Sequence, residues 1–226
     1  VSHNKLSFGY EGDGQAMQIK LLSDAPEDFT STLTKEKGKD TLNYWYRPKL
    51  EVDSLIFEIT HLQSIDTAVV RIKDFKSDSL VFKSESSQLK LLEPYKLSAT
   101  IPLGSIDETK VRVRDKDSLF QGASLVLDSF SNTVGLNFDK TEKNTYNIQI
   151  LPGAFIDFYG AQNDTLNFKA TTKLAADYGN LRINIRNGVY PLVVQVTDLK
   201  GVVIESYYAQ DASPIDFKDV IPGTYL

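Results

Sequence analysis

Cysteine is absent from the 226 residues, which removes disulfides, thiolate catalysis and cysteine-ligated zinc together. Histidine, the commonest general base and a frequent metal ligand, occurs only twice, as His3 and His61. No apolar run approaches the ~20 residues of a membrane-spanning helix. Basic charge is not in surplus either. The 25 Lys and Arg are scattered among 30 Asp and Glu, for a net charge of −5. The clustered cations that a phosphate backbone requires are therefore missing, and nucleic acid is not an expected partner. A phosphate-cradling loop is lacking too. The stretch "GYEGDG", residues 9–14, has no Lys-Ser/Thr and leads into "QAMQIKLLS", so it reads as a turn. Helical periodicity is nearly absent.

What is present is alternation with period two. In "DSLIFEIT" Leu55, Phe57 and Ile59 share one face, with Ile56 the exception. "DTLNYWY" groups Leu42, Tyr44 and Tyr46, "KVRVRD" groups Val111 and Val113, and "NTYNIQI" groups Tyr146, Ile148 and Ile150. "NLRINIRN" groups Leu181, Ile183 and Ile185. Such a pattern suits antiparallel sheets with one wet face. A local repeat accompanies it: Asp40-Thr41, Asp53-Ser54, Asp66-Thr67 and Asp78-Ser79. Each pair reads as a turn whose carboxylate accepts backbone N–H groups before the next strand. Asp117-Ser118 and Asp164-Thr165 repeat the device. A calcium loop would need carboxylates two apart within one loop, and only Asp115-Lys116-Asp117 approaches that. The one helical candidate, "DAPEDFTSTLTKEKG", is rich in Thr and Ser and is better read as a strand hairpinned onto "DTLNYWY" through "KEKGKD".

Polar "KSESSQ" (83–88) and "AADYGN" (175–180) divide the chain near 86 and near 178. The expected fold is all-β: tandem Ig-like antiparallel sandwiches over 1–86 and 87–178, and an incomplete third over 179–226. Because the sequence begins at Val1 rather than Met and stops at Tyr225-Leu226, it is expected to be a segment of a longer chain.

The middle block carries "ATIPLGSIDETKVRVRDKDS" and "NTYNIQILPGAFIDFYGAQNDTLNFKATT". It resembles the bacterial Ig-like domain family first seen in S-layer proteins, the SbsA-like Ig domains. The likeness lies in Pro102-Leu103, Ile106-Asp107, Thr145-Tyr146, Pro152-Gly153-Ala154, Asp157, Gly160 and Asn163. It departs at Ala161-Gln162, which widen the last turn. Tyr146, Pro152, Gly153 and Gly160 are structural in this reading. Tyr146 buries its ring where a strand re-enters the sandwich and bonds its hydroxyl to backbone. The last block resembles the start of a transthyretin-like or carboxypeptidase-regulatory-like sandwich. Val196, Asp198 and Gly201 form its hairpin, followed by Phe217, Val220, Pro222-Gly223 and Tyr225-Leu226. Together these resemblances are to Ig-like-domain lipoproteins of the Bacteroidota cell envelope. They imply an exported, outer-membrane or surface protein, anchored through a lipidated cysteine upstream of this segment.

The resemblance implies no chemistry of its own. His61, Ser64 and Asp66 are a nominal triad, but Ser and Asp are abundant and no G-x-S-x-G elbow occurs. No catalytic, cofactor or metal residue is expected, and the protein is read as a non-enzyme. The expected function is a scaffold, spacer or protein-binding subunit, an accessory part of an outer-membrane assembly or secretion complex. Its partners are proteins of the envelope. Two alternatives stay open. A carbohydrate-binding surface would use Trp45 or Tyr208 as a platform, with Tyr44 and Tyr46 as neighbours. In a strand Trp45 faces opposite to Tyr44 and Tyr46, so either the tryptophan or the tyrosines plug the core. A carboxylate hydrolase is the second alternative.

Overall fold

The computed structural model describes residues 4–61, 64–72, 79–220 and 222–226. His3, Asp78 and Ile221 lie outside the described residues. The chain is all-β, and the helical turns among the described residues are short 3-10 segments. It forms two compact units. The first comprises Val1–Ser87, Glu93–Asp139 and Thr145–Ala170, and the second Gln88–Leu92, Lys140–Asn144 and Thr171–Leu226.

The first unit opens with six strands: β1 (Asn4–Gly9), β2 (Met17–Leu21), β3 (Thr30–Lys35), β4 (Thr41–Arg47), β5 (Ser54–His61) and β6 (Ser64–Arg71). They make two three-stranded sheets, ordered β1-β4-β3 and β2-β5-β6. The inward residues of each sheet meet in one core containing Leu6, Phe8, Leu42, Tyr44, Leu55 and Phe57. Phe57 reaches across from β5, its ring 5.3 Å from Phe8 and 5.1 Å from Tyr44, edge-on to both. This quadrupole-compatible geometry adds to the burial of the three rings. The "KEKGKD" turn closes the β3–β4 hairpin, with Glu36 N–H on the Thr41 carbonyl (2.8 Å) and Gly38 in the left-handed region (φ 74). Thr-rich "TSTLT" is therefore strand, as its β-branched residues favour.

The next strands are β7 (Phe82–Ser84), β8 (Gln88–Leu89), β9 (Tyr95–Ala99), β10 (Leu103–Ile106), β11 (Val111–Arg114), β12 (Phe120–Gln121), β13 (Ala123–Asp128), β14 (Thr133–Phe138), β15 (Thr145–Ile150), β16 (Phe155–Asp157) and β17 (Leu166–Thr172). In the first unit they give a β13-β14-β9-β7 sheet, a sheet running β12-β11-β15-β17, and a β10-β16 pair. Leu97, Val134, Leu136, Tyr146, Ile148 and Ile150 are buried from these sheets, as their alternation requires. The Tyr146 ring sits edge-on to Phe138 at 5.1 Å.

The second unit has β8 parallel to the end of β17, then β18 (Gly179–Ile183), β19 (Leu192–Thr197), β20 (Val203–Ala209) and β21 (Ile215–Val220). β18 pairs with β21 and β19 with β20. Val196, Ala209, Ile215, Phe217 and Val220 form its core, with Tyr225 packed against it. Asp198 shapes the β19–β20 turn: its carboxylate accepts from Lys200 N–H (2.8 Å) and Val202 N–H (2.9 Å), and Gly201 supplies φ 80. After Pro222-Gly223 the chain returns to β19, where Leu226 and Thr197 exchange both backbone bonds at 2.9 and 3.0 Å.

The Asp-Ser/Thr repeat does not behave as one device. Asp40 and Asp53 do precede β4 and β5, yet they contribute backbone carbonyls, to Tyr10 N–H (3.0 Å) and Ile72 N–H (2.9 Å). Asp66-Thr67 lies inside β6 rather than in a turn, although the Asp66 carboxylate does accept from Thr67 N–H (2.7 Å). Carboxylate caps occur elsewhere, at Asp13, Asp107, Asp115, Asp128 and Asp157.

Phe57→Ala removes the ring that ties the first two sheets together and should destabilise the protein by about 3–5 kcal/mol in chemical denaturation. Ile56→Ala, one residue away on the exposed face, should change stability by about 0.5 kcal/mol or less.

Candidate functional site

Trp45 lines a cleft of about 760 Å³ in the first unit. One wall is the outer face of the β1-β4-β3 sheet, carrying Lys5, Thr34, Asn43 and Trp45. The other carries Val81, Lys83, Thr100 and Asn132. Its volume falls within the range of small-molecule sites.

The polar side chains of the cleft already satisfy one another. Trp45 Nε1–H donates to Thr34 Oγ1 (2.9 Å), and the Ser7 hydroxyl donates to Asn43 Oδ1 (2.7 Å). Thr100 Oγ1 donates to the Ser79 carbonyl (2.7 Å) and accepts from Val81 N–H (2.9 Å). The Asn132 amide donates to the carbonyls of Ala99 and Ile101 (2.8 and 2.9 Å). What is left to a ligand is charge. Lys5 lies over the Trp45 ring at 5.1 Å, and Lys37 is paired with Glu85 at 2.7 Å. At the same end Lys39 bonds Glu36 and holds that carboxyl below the usual range.

Trp45 is 3% exposed, Tyr44 3% and Tyr46 1%. The choice between a core tryptophan and core tyrosines does not arise, because both faces of β4 are covered. Tyr44 and Tyr46 enter the sandwich core, while Trp45 is buried on the cleft side under Lys5. None of the three rings offers a free face for stacking. Tyr208 is 57% exposed on β20, beside a hollow of about 200 Å³ that Gln210 and Asp211 also line.

His61 ends β5, where its Nε2 lies 3.1 Å from the Asp13 carbonyl, to which it donates. Ser64 is its cross-strand neighbour, and Asp66 pairs instead with Ile59. The nominal triad is not assembled. Among the described residues, every carboxyl whose pKa the surroundings shift is shifted down. The Thr109 hydroxyl does this at Asp107, the Ser131 hydroxyl at Asp128, Ser213 at Asp211 and the Arg182 guanidinium at Asp216. A general acid needs the opposite shift. No group of three or more metal-ligating side chains occurs among the described residues.

The motif residues Asp157, Gly160 and Asn163 brace a loop. Asp157 Oδ1 accepts from Tyr159 N–H (2.9 Å) and Ala161 N–H (2.8 Å), and Gly160 supplies φ 91. Asn163 Oδ1 accepts from Phe155 N–H (2.7 Å), and its amide donates to the carbonyls of Leu151 and Asp164 (2.9 and 2.7 Å). Gly153 has φ 72, and a Cβ there would meet Gln162 Oε1 at 2.8 Å. The braced loop presents Tyr159, which sequence reasoning missed. Its hydroxyl donates to the Asn4 carbonyl at 2.9 Å, with the Tyr46 carbonyl at 3.4 Å. Next to it the Arg47 guanidinium stacks on Phe158 at 5.0 Å. At another point Lys35 N–H donates to the Phe130 carbonyl (2.7 Å), and the Phe130 ring packs on the first core. No motif marks either contact, because each joins residues far apart in the chain. No family model and no curated protein matches the sequence.

Tyr159→Phe should lower stability by about 1 kcal/mol by leaving the Asn4 carbonyl without that donor. Burial raises the phenol pKa of Tyr159, and likewise of Tyr44, Tyr46 and Tyr95. These groups stay protonated when folded at a pH where the unfolded chain ionises. Their contribution is complete below about pH 10 and falls as pH rises beyond it. The variant should lose stability less steeply than the parent in that range, as followed by urea denaturation at stepped pH. Trp45 is the sole tryptophan, so iodide should barely quench native fluorescence and should quench strongly once the protein is unfolded.

Proposed function

We propose that this chain is a non-catalytic module of the bacterial cell envelope, working as a scaffold, spacer or protein-binding subunit of an outer-membrane lipoprotein. An accessory place in an outer-membrane assembly or secretion complex is the specific form of this reading. The observation that carries it is the distribution of side chains. The perturbed carboxylates cap turns or pair with cations, while apolar residues stand out on strands: Ile65 and Val69 on β6, Val193 on β19 and Tyr208 on β20. Such strands bind other chains through backbone edges and pockets for alternate side chains. The envelope setting rests on the resemblance of the middle and last blocks to SbsA-like Ig and transthyretin-like modules. The lipid anchor rests on the same resemblance.

Carbohydrate binding is favoured at one place only, the exposed Tyr208 ring beside its hollow. Glycan-array binding that Tyr208→Ala abolishes in a folded protein would move the reading there. The scaffold reading expects affinity purification from native membranes to recover the protein with stable neighbours. Recovery as a lone monomer in gentle detergent would overturn it.

A further inference from the structure

We infer that the outward face of β11 and β15 is the docking site for an acidic, extended segment of a partner protein. The inference rests on the protein-binding reading above and locates it. β11 and β15 pair antiparallel, with Arg112 opposite Gln149 and Arg114 opposite Asn147. Residues directly opposite share a face, and Val113, Ile148 and Ile150 occupy the buried one. Arg112, Arg114, Asn147 and Gln149 therefore stand together on the other. β17 extends the row, where the Gln149 amide donates to Asn167 Oδ1 at 3.4 Å. Lys169, two residues on in the same strand, shares the face of Asn167. The row borders a hollow of about 250 Å³ whose lining includes both arginines and Asn167.

The charge of this face runs against that of the chain. The protein carries −5 overall, yet β11, β12, β15 and β17 contain no Asp or Glu. Elsewhere Arg182 on β18 is neutralised by Asp216 at 2.6 Å. Arg112, Arg114 and Lys169 have no ion-pair partner among the described residues. An unpaired guanidinium presents a planar fork of N–H donors that matches an oxyanion. The Arg114 guanidinium lies 4.3 Å from the centre of the Phe120 ring, a stacking that restrains the fork and reduces the freedom lost when it binds. Asn147, between the strands' two arginines and Asn167, adds amide N–H donors to the same face.

The spacing states the partner's chemistry. Arg112 and Arg114 are alternate residues of one strand, so their Cα atoms lie about 7 Å apart. Carboxylates on alternate residues of an extended peptide have the same separation, whereas adjacent carboxylates point to opposite sides. Each arginine fork can then take one carboxylate through two parallel N–H bonds. A nucleic acid strand needs a longer row of cations than this face has. A sugar would need an open ring to stack on, and one side of Phe120 is already taken by Arg114.

The probe is acetyl-Thr-Glu-Thr-Glu-Thr-amide, titrated into the whole chain at low ionic strength, where exposed charges are least screened. The control is acetyl-Thr-Glu-Glu-Thr-Thr-amide, of equal charge. Binding is read from the Arg112 and Arg114 Nε–H and Asn147 side-chain amide signals by NMR. The alternating peptide should move these signals and bind about tenfold more tightly than the control. Arg112→Gln and Arg114→Gln should each weaken it about tenfold, while Arg71→Gln on β6 should leave it unchanged. Both β11 arginines are exposed, and an unchanged denaturation midpoint checks that each variant folds. Equal affinity for the two peptides, or an affinity that the double variant Arg112→Gln/Arg114→Gln leaves unchanged, overturns the inference. A tetrasaccharide of uronic acids that displaces the peptide and binds more tightly through the same arginines overturns the protein partner. Neighbours recovered equally well by native purification of the double variant would leave the scaffold reading standing and remove this face from it.

Discussion

The polypeptide around β4 has no wet side. A central antiparallel strand loses water along both edges to its neighbours, and commonly keeps one face exposed. Here Tyr44 and Tyr46 fill the sandwich core while Trp45, Asn43 and Thr34 are buried on the reverse. That reverse face contains polar atoms, so it tolerates burial only because each has a partner. Trp45 finds Thr34, Asn43 finds Ser7, and Lys5 covers the indole. The Tyr159 hydroxyl then reaches the backbone at the two strand ends, Asn4 and Tyr46. With both faces of one strand committed, the sheets before Ser87 and those after Glu93 belong to a single compact unit.

The same use of polar groups sets how the shifted surface acids ionise. Catalytic carboxyls need desolvation or a like-charged neighbour to hold a proton near neutrality. The acids whose ionisation is shifted here sit against hydroxyls, backbone N–H groups and cations, which favour the charged form. Asp107 and Asp128 turn the chain between strands, replacing the backbone partners that a loop lacks, while Asp216 pairs with Arg182 across β18 and β21.

Much of the all-β architecture was legible because alternation depends on which residues face a core. Leu55 with Phe57, and Tyr146 with Ile148 and Ile150, are buried where period two puts them. The rule failed at Trp45 because it assumes one dry face for each strand. At Asp66 the expected bond to a backbone N–H is present but the turn is not, because a dipeptide carries no information on whether its strand has already begun. Tyr159 was invisible for a stronger reason. Its partner, Asn4, lies 155 residues away, and no local pattern encodes so distant a carbonyl. The motif around Asp157, Gly160 and Asn163 was visible, but its bonding was not. The loop exists to hold a turn open, and the adjoining tyrosine uses it as a mount.

The two compact units are held together differently. Where β4 is covered on both faces, the buried Trp45 and Asn43 side chains have internal partners. In the second unit the core is held by five buried residues and two strand pairs. Leu226 adds two backbone hydrogen bonds to Thr197 at the end of β19.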